Sequence, residues 1–257
     1  MTRIVRIAVT VAGLMAVWQA IVWISGAPPY LLPSPLDTVI ALTTRAGLIA
    51  GHALVTLSEI VAGLILGTAL GVVSAVVIAS FRPARRWLMP VLVTSQAIPV
   101  FAIAPLLVLW LGYGMASKVG MATLIIYFPV ASSFLDGLRR TETRWIDLAH
   151  TMTGGPRARP FAVLRHVRLP AALPALASGL RVAAAVAPIG AVVGEWVGSG
   201  AGLGYLMLQA NARVQIDLMF AALLTLAALA VTLYFLVDLA LRKAIPWQPD
   251  TLPESDP

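Results

Sequence analysis

The chain contains no cysteine, which removes a disulfide framework, a thiolate metal site and a thiol nucleophile together. Charge is scarce as well, with only 11% of the 257 residues being Asp, Glu, Lys or Arg. Lysine occurs twice, at Lys118 and Lys243, and neither follows a glycine-rich loop, so the G-x-x-x-x-G-K-[ST] pattern that cradles phosphates is missing. The three histidines, His52, His150 and His166, belong to no H-E-x-x-H motif, and no G-x-S-x-G motif occurs. From these absences we expect no catalytic constellation, no metal, no cofactor and no ATP bound by a P-loop.

What is present is apolar: 60% of the residues are hydrophobic and the mean hydropathy is +0.91. In water such a chain would expose large apolar patches, so its solvent is a lipid bilayer. The net charge of +7 invites a nucleic-acid reading. The basic residues stand between apolar spans, however, and no basic surface interleaved with aromatics forms, so no nucleic-acid partner is expected.

The fold class expected is an all-α integral membrane protein with about six transmembrane helices, at roughly 4–25, 54–80, 87–111, 116–135, 171–197 and 218–241. The first apolar run follows Arg3 and Arg6 like a signal peptide, but it is too long for one and carries Trp18, Gln19 and Trp23, so it is read as a retained helix. A Pro-rich stretch at 26–35 forbids helix, and 37–49 is expected as a short helix on the membrane surface. Gly63, Gly67 and Gly71 recur every fourth residue on one face of the second span, a spacing that lets another helix approach closely.

Several polar or helix-breaking residues fall within the spans. Gln96 and Pro99, with Phe101 just beyond, mark a break in the third span; Tyr127 precedes Pro129 in the fourth; Arg181 and Glu195 lie in the fifth. Broken or ionisable positions at membrane depth survive where they face the bundle interior or a watery cavity, so these residues are candidates for a translocation path. Arg181 is alternatively a structural residue, pairing with Glu59 or capping carbonyls. A short helix at 203–212, re-entrant or on the surface, is expected after the glycine-rich segment 198–204.

The longest polar interruption is 136–170, which holds seven of the 18 Lys and Arg residues. Within it, 143–152 is expected to form a short helix ended by Gly154, Gly155 and Pro156. With both termini on the cytoplasmic side, 14 of the 18 basic residues fall on that side, as the positive-inside rule requires.

The order of residues in this loop, Asp147, Leu148, Ala149, His150, Thr151 and Met152, then Gly154 and Gly155, then Val167-Arg168-Leu169-Pro170, resembles the EAA loop of binding-protein-dependent ABC importer permeases. Asp147 and Leu148 stand where that family usually has Glu and Ala. Leu-Pro-Ser-Pro at 32–35 and Gly-Leu-Gly-Tyr at 202–205 also match family wording, and the resemblance runs from Leu32 to Asp238. It implies the type I ABC importer permease fold. It further implies a coupling helix that docks into a groove on a separate ABC ATPase subunit, a partner substrate-binding protein on the outer face, and a permease homodimer in the bacterial plasma (inner) membrane.

On this basis 1–31 is a first helix with its connection, 32–241 a permease core with its coupling loop at about 139–169, and 242–257 a tail. The stretches 96–106 and 165–176 are similar to permeases for the pyrimidine precursor of thiamine, of hydroxymethylpyrimidine type. Sulfonate, taurine or nitrate import is the alternative cargo. A secondary transporter would be expected to show internal repeats, which are not visible, and an intramembrane enzyme would need paired acids that Glu59, Glu195 and Asp238 do not form in sequence.

Overall fold

The structure, a computed structural model, describes residues 3–152 and 160–247; the Gly154–Gly155 pair and the side chain of Gln96 lie outside the described residues. Among the described residues every regular element is helical. In order these are α1 (Arg3–Ser25), α2 (Pro35–Thr44), α3 (Ala46–Ser80), α4 (Arg82–Ala97), α5 (Val100–Leu111), α6 (Met115–Arg139) and α7 (Thr143–Met152). Then follow α8 (Pro160–Val163), which runs through a π-helical turn at Leu164–Arg168 into α9 (Leu169–Gly198), then α10 (Leu203–Ala212) and α11 (Ile216–Ala244). Five stretches are long and apolar enough to cross a membrane: α1, α3, α6, the continuous α8–α9 rod and α11.

The third expected span is divided. Pro99 cannot donate a backbone hydrogen bond and forces Ile98 into an extended conformation (φ −90°, ψ 119°), so α4 ends and α5 starts afresh. The expected surface helix at 37–49 is also revised. It starts earlier, at Pro35, where Ser34 accepts from the Asp37 amide at 3.1 Å and Asp37 accepts from the Ser34 amide in return, a capping box. It stops at Thr44, and α3 begins at Ala46, because nothing between 46 and 53 breaks a helix.

The centre of the bundle is α3, α6 and α9. Helices α3 and α6 run parallel with almost no side chain between them: a Cβ on Gly67 would lie 2.7 Å from Ile126 and one on Gly71 2.9 Å from Val130. Helix α9 runs the opposite way, with Gly190 against Ala122 and Gly179 against Pro129 and Ser133. In lipid, where apolar burial gives little driving force, such close approach supplies the van der Waals contact that holds helices together. Three buried apolar layers follow along the axis. Ala41, Leu203 and Ala221 mark one end, Ile60, Ile126 and Ala187 the middle, and Ile78, Phe134 and Ala172 the other end.

Candidate functional site

Two sites terminate the α6–α9 pair, one at each end. At the first, α7 stands clear of the bundle, and none of its residues is buried. Its sequence still sorts into two faces. Ile146, Ala149 and His150 are half-buried toward the rest of the loop, while Trp145, Leu148 and Met152, at i, i+3 and i+7, are exposed, Met152 by 80%. Asp147 is exposed and Thr151 turns back to donate to the Leu148 carbonyl at 2.7 Å. The result is an apolar stripe turned outward on a polar loop. Leu148 and Met152, placed in the coupling loop by the resemblance, are both exposed; Trp145 was missed, although its heptad-like spacing to Met152 was a usable signal.

The loop is fastened at its base. Arg168 Nη2 donates to the Leu138 carbonyl at 2.9 Å, joining the wide turn before α9 to the last turn of α6. Leu169 packs into the nearby apolar layer, and Pro170, just after the π-helical turn, has no N–H to donate to the preceding turn of the rod.

At the second site, Glu195, 1% exposed, lies near the end of α9 and holds the start of α10. Its Oε2 accepts from the backbone amides of Gly204 and Tyr205, and its Oε1 accepts from the Thr56 hydroxyl at 2.6 Å. Thr56 in turn accepts from the Leu203 amide at 2.8 Å, and His52 Nδ1 accepts from the Gly202 amide at 3.0 Å. A carboxylate at a helix N-terminus satisfies orphan amides and meets the positive end of the helix dipole. The glycines are required here. Gly202 has φ +118°, and a Cβ on Gly202 or Gly204 would run into the Glu195 carboxylate, which accounts for the Gly-Leu-Gly spelling.

Beside this cap, Lys118 of α6 and Glu59 of α3 form a buried ion pair at 2.6 Å. Arg181 does not pair with Glu59, as one of the two structural expectations had it. Its Nε donates to Asp238 Oδ1 on α11 at 2.6 Å, and Asp238 also receives Arg242 at 2.9 Å. Glu59 is already taken by Lys118, a partner one helix away that lies far off in sequence.

Among the described residues, those expected along a path stand in different parts of the bundle. Pro99 and Phe101 sit at the α4–α5 break, with Phe101 68% exposed. Tyr127 packs against the layer that contains Phe134, Arg181 is committed to Asp238, and Glu195 is sealed in the α10 cap.

Residues 67–246 match the family described as binding-protein-dependent transport system inner membrane component. A probable ABC transporter permease protein of Haemophilus influenzae is 54% identical over 95% of this chain and 98% of its own. The riboflavin transport system permease protein RibX of Chloroflexus aurantiacus is 38% identical (93% and 89% covered). The formylaminopyrimidine transport permease protein ThiX of Halalkalibacterium halodurans is 34% identical (91% and 92%). In fold, the chain is similar to a chain of the MetNI methionine ABC transporter in an inward-facing conformation, with a TM-score of 0.65 at 21% identity over 78% of this chain and 97% of that one. With a bundle of membrane-length helices, a short loop helix clear of it and these relatives, the chain belongs to the binding-protein-dependent ABC importer permease family.

Proposed function

We propose that this chain is the permease subunit of an ATP-driven importer in the bacterial inner membrane, with both termini cytoplasmic, working as a homodimer with two copies of a separate ATPase. The core, 32–241, forms the pathway, and a substrate-binding protein delivers solute to the end that carries α10. The observation that carries this reading is the outward apolar stripe Trp145, Leu148 and Met152 on α7, which is exposed among the described residues. Such a stripe on a short helix fits a groove on a partner. Asp147, Ala149, His150, Thr151, Gly154 and Gly155 complete the coupling loop. One docking helix per chain and an ATPase that closes as a pair are what make a homodimer the natural assembly.

In this account the ATPase pair closes on ATP and draws the two α7 helices together. The Arg168–Leu138 link passes that displacement to α6 and α9, whose glycine-mediated packing moves as a rigid unit. At the far end the same two helices carry Lys118 and Glu195, so the motion arrives at α10 and the break around Gln96, Pro99 and Phe101, where the pathway would open.

The proposed cargo is a pyrimidine, of the hydroxymethylpyrimidine type that precedes thiamine. Support comes from the wording at 96–106 and 165–176 and from ThiX at 34% identity. RibX, at 38% identity, is named for riboflavin, whose ring system also contains a pyrimidine, so riboflavin is the second reading. The test is uptake of radiolabelled hydroxymethylpyrimidine, riboflavin and taurine by cells expressing the chain with its ATPase and binding protein. Saturable, ATP-dependent uptake of hydroxymethylpyrimidine alone is expected; uptake of taurine in its place would reject a pyrimidine cargo.

A further inference from the structure

On the end of the bundle that carries α7, a groove of about 770 Å³ runs along the start of α4, lined by Arg82, Arg85 and Arg86 and then by Met89, Pro90 and Val93. Through Arg85 and Met89 it shares lining with a smaller cleft that adds Arg139 of α6 and Arg168 of the wide turn. Five arginines from three segments of chain therefore line the two adjoining clefts. None of them takes part in the ion pairs formed among the described residues, which join Lys118 to Glu59, and Arg181 and Arg242 to Asp238. Arg168 Nε is buried with no hydrogen-bond partner. Like charges brought together without a counter-ion repel, and a buried donor left unmet is costly, so the recess is arranged for an anion.

The groove also says which anion. Arginine suits phosphate because its planar fork donates two parallel hydrogen bonds. Beyond the arginines the lining is apolar through Met89, Pro90 and Val93 as far as Thr94, and Phe81 and Trp87 are exposed by 60% and 75%, as aromatics at a membrane–water interface are. Basic recesses between membrane helices at that depth hold lipid head groups. We propose that this recess is a binding site for an anionic phospholipid, with its phosphate held by Arg82, Arg85, Arg86 and Arg139 and an acyl chain lying along Met89, Pro90 and Val93. A lipid so placed would tie α4 to the base of the coupling loop.

The test is native mass spectrometry of the detergent-purified protein titrated with phosphatidylglycerol or phosphatidylcholine. Retention of phosphatidylglycerol over phosphatidylcholine is expected. The Arg85→Gln/Arg86→Gln variant should weaken retention by about thirtyfold, since each arginine near a charged lipid surface contributes appreciably. Arg82→Gln, at the first residue of α4, serves as a second variant should the double one insert poorly, and should weaken retention by roughly fivefold. Arg6→Gln, an exposed arginine outside the recess, should leave retention unchanged. Equal loss in Arg6→Gln would mean diffuse surface charge and no site. Full displacement of the lipid by millimolar inorganic phosphate would identify a free-anion site and overturn the lipid assignment. Unchanged lipid retention in Arg85→Gln/Arg86→Gln with loss of ATPase co-purification would assign the arginines to the ATPase and reject the proposal.

Discussion

Thr56 and Glu195, far apart in sequence, meet in a buried 2.6 Å hydrogen bond that joins α3 to α9, and both then cap the start of α10. Replacing Glu195 by Ala leaves the Gly204 and Tyr205 amides without their carboxylate acceptor at the largely buried start of α10. We expect a loss of about 2–3 kcal/mol in stability, the scale of a charged hydrogen bond. Thermal unfolding in detergent would register it, and amide exchange at 203–205 should accelerate selectively. A variant as protected at those amides as the parent would show that α10 is held by packing alone.

Lys118→Met should be at least as damaging, because it leaves Glu59, fully buried, without its cation. Removing one partner of a buried pair costs about 3–5 kcal/mol, whereas removing both with apolar residues of similar size is often close to neutral. Glu59→Leu combined with Lys118→Met should therefore recover most of the unfolding midpoint lost by Lys118→Met. Additive losses in the double variant would contradict the pairing.

Gly67→Ala should cost about 1–3 kcal/mol, since its Cβ would enter the space of Ile126, 2.7 Å away, and α3 would have to back off from α6. Gly47→Ala on the same helix meets nothing within 4 Å and should be neutral or slightly stabilising. The pair of variants separates close packing from a general intolerance of larger residues in α3.

Much of this was legible in the chain. The helix at 203–212 has the bounds expected of it, because Gly202 takes a conformation that other residues resist, and α7 starts at Thr143 as expected, while the glycine pair expected to end it lies outside the described residues. The Gly63, Gly67 and Gly71 repeat signalled a close approach by another helix, because small-residue spacing is a one-dimensional signal of a close crossing, and that helix is α6. Partners were harder. Arg181 finds Asp238, and Lys118 finds Glu59, across gaps that depend on which helices become neighbours, and spacing along the chain carries no trace of that. The α4–α5 break was visible as Pro99, but whether a proline kinks a span or ends it depends on what packs beside it.

Topology follows from the distribution of arginine. A reporter fused after Arg140 should be cytoplasmic and one fused after Gly200 external, because a single membrane-length rod, α8–α9, lies between these points. Cysteine labelling from outside intact cells checks this cleanly, as the chain has no cysteine of its own. External labelling at 140 would invert the proposed positions of the ATPase and the binding protein.

The central claim is that α7 acts through its exposed stripe on a partner ATPase. Leu148→Glu places a charge in the middle of that stripe without touching the bundle, so membrane level and unfolding midpoint should stay as they are. The decisive measurement is co-purification of the ATPase with the Leu148→Glu chain, read beside substrate uptake. The account predicts at least about thirtyfold weaker ATPase association, as for loss of a central interface anchor, together with loss of uptake. A Leu148→Glu chain that retains its ATPase and transports normally would contradict it.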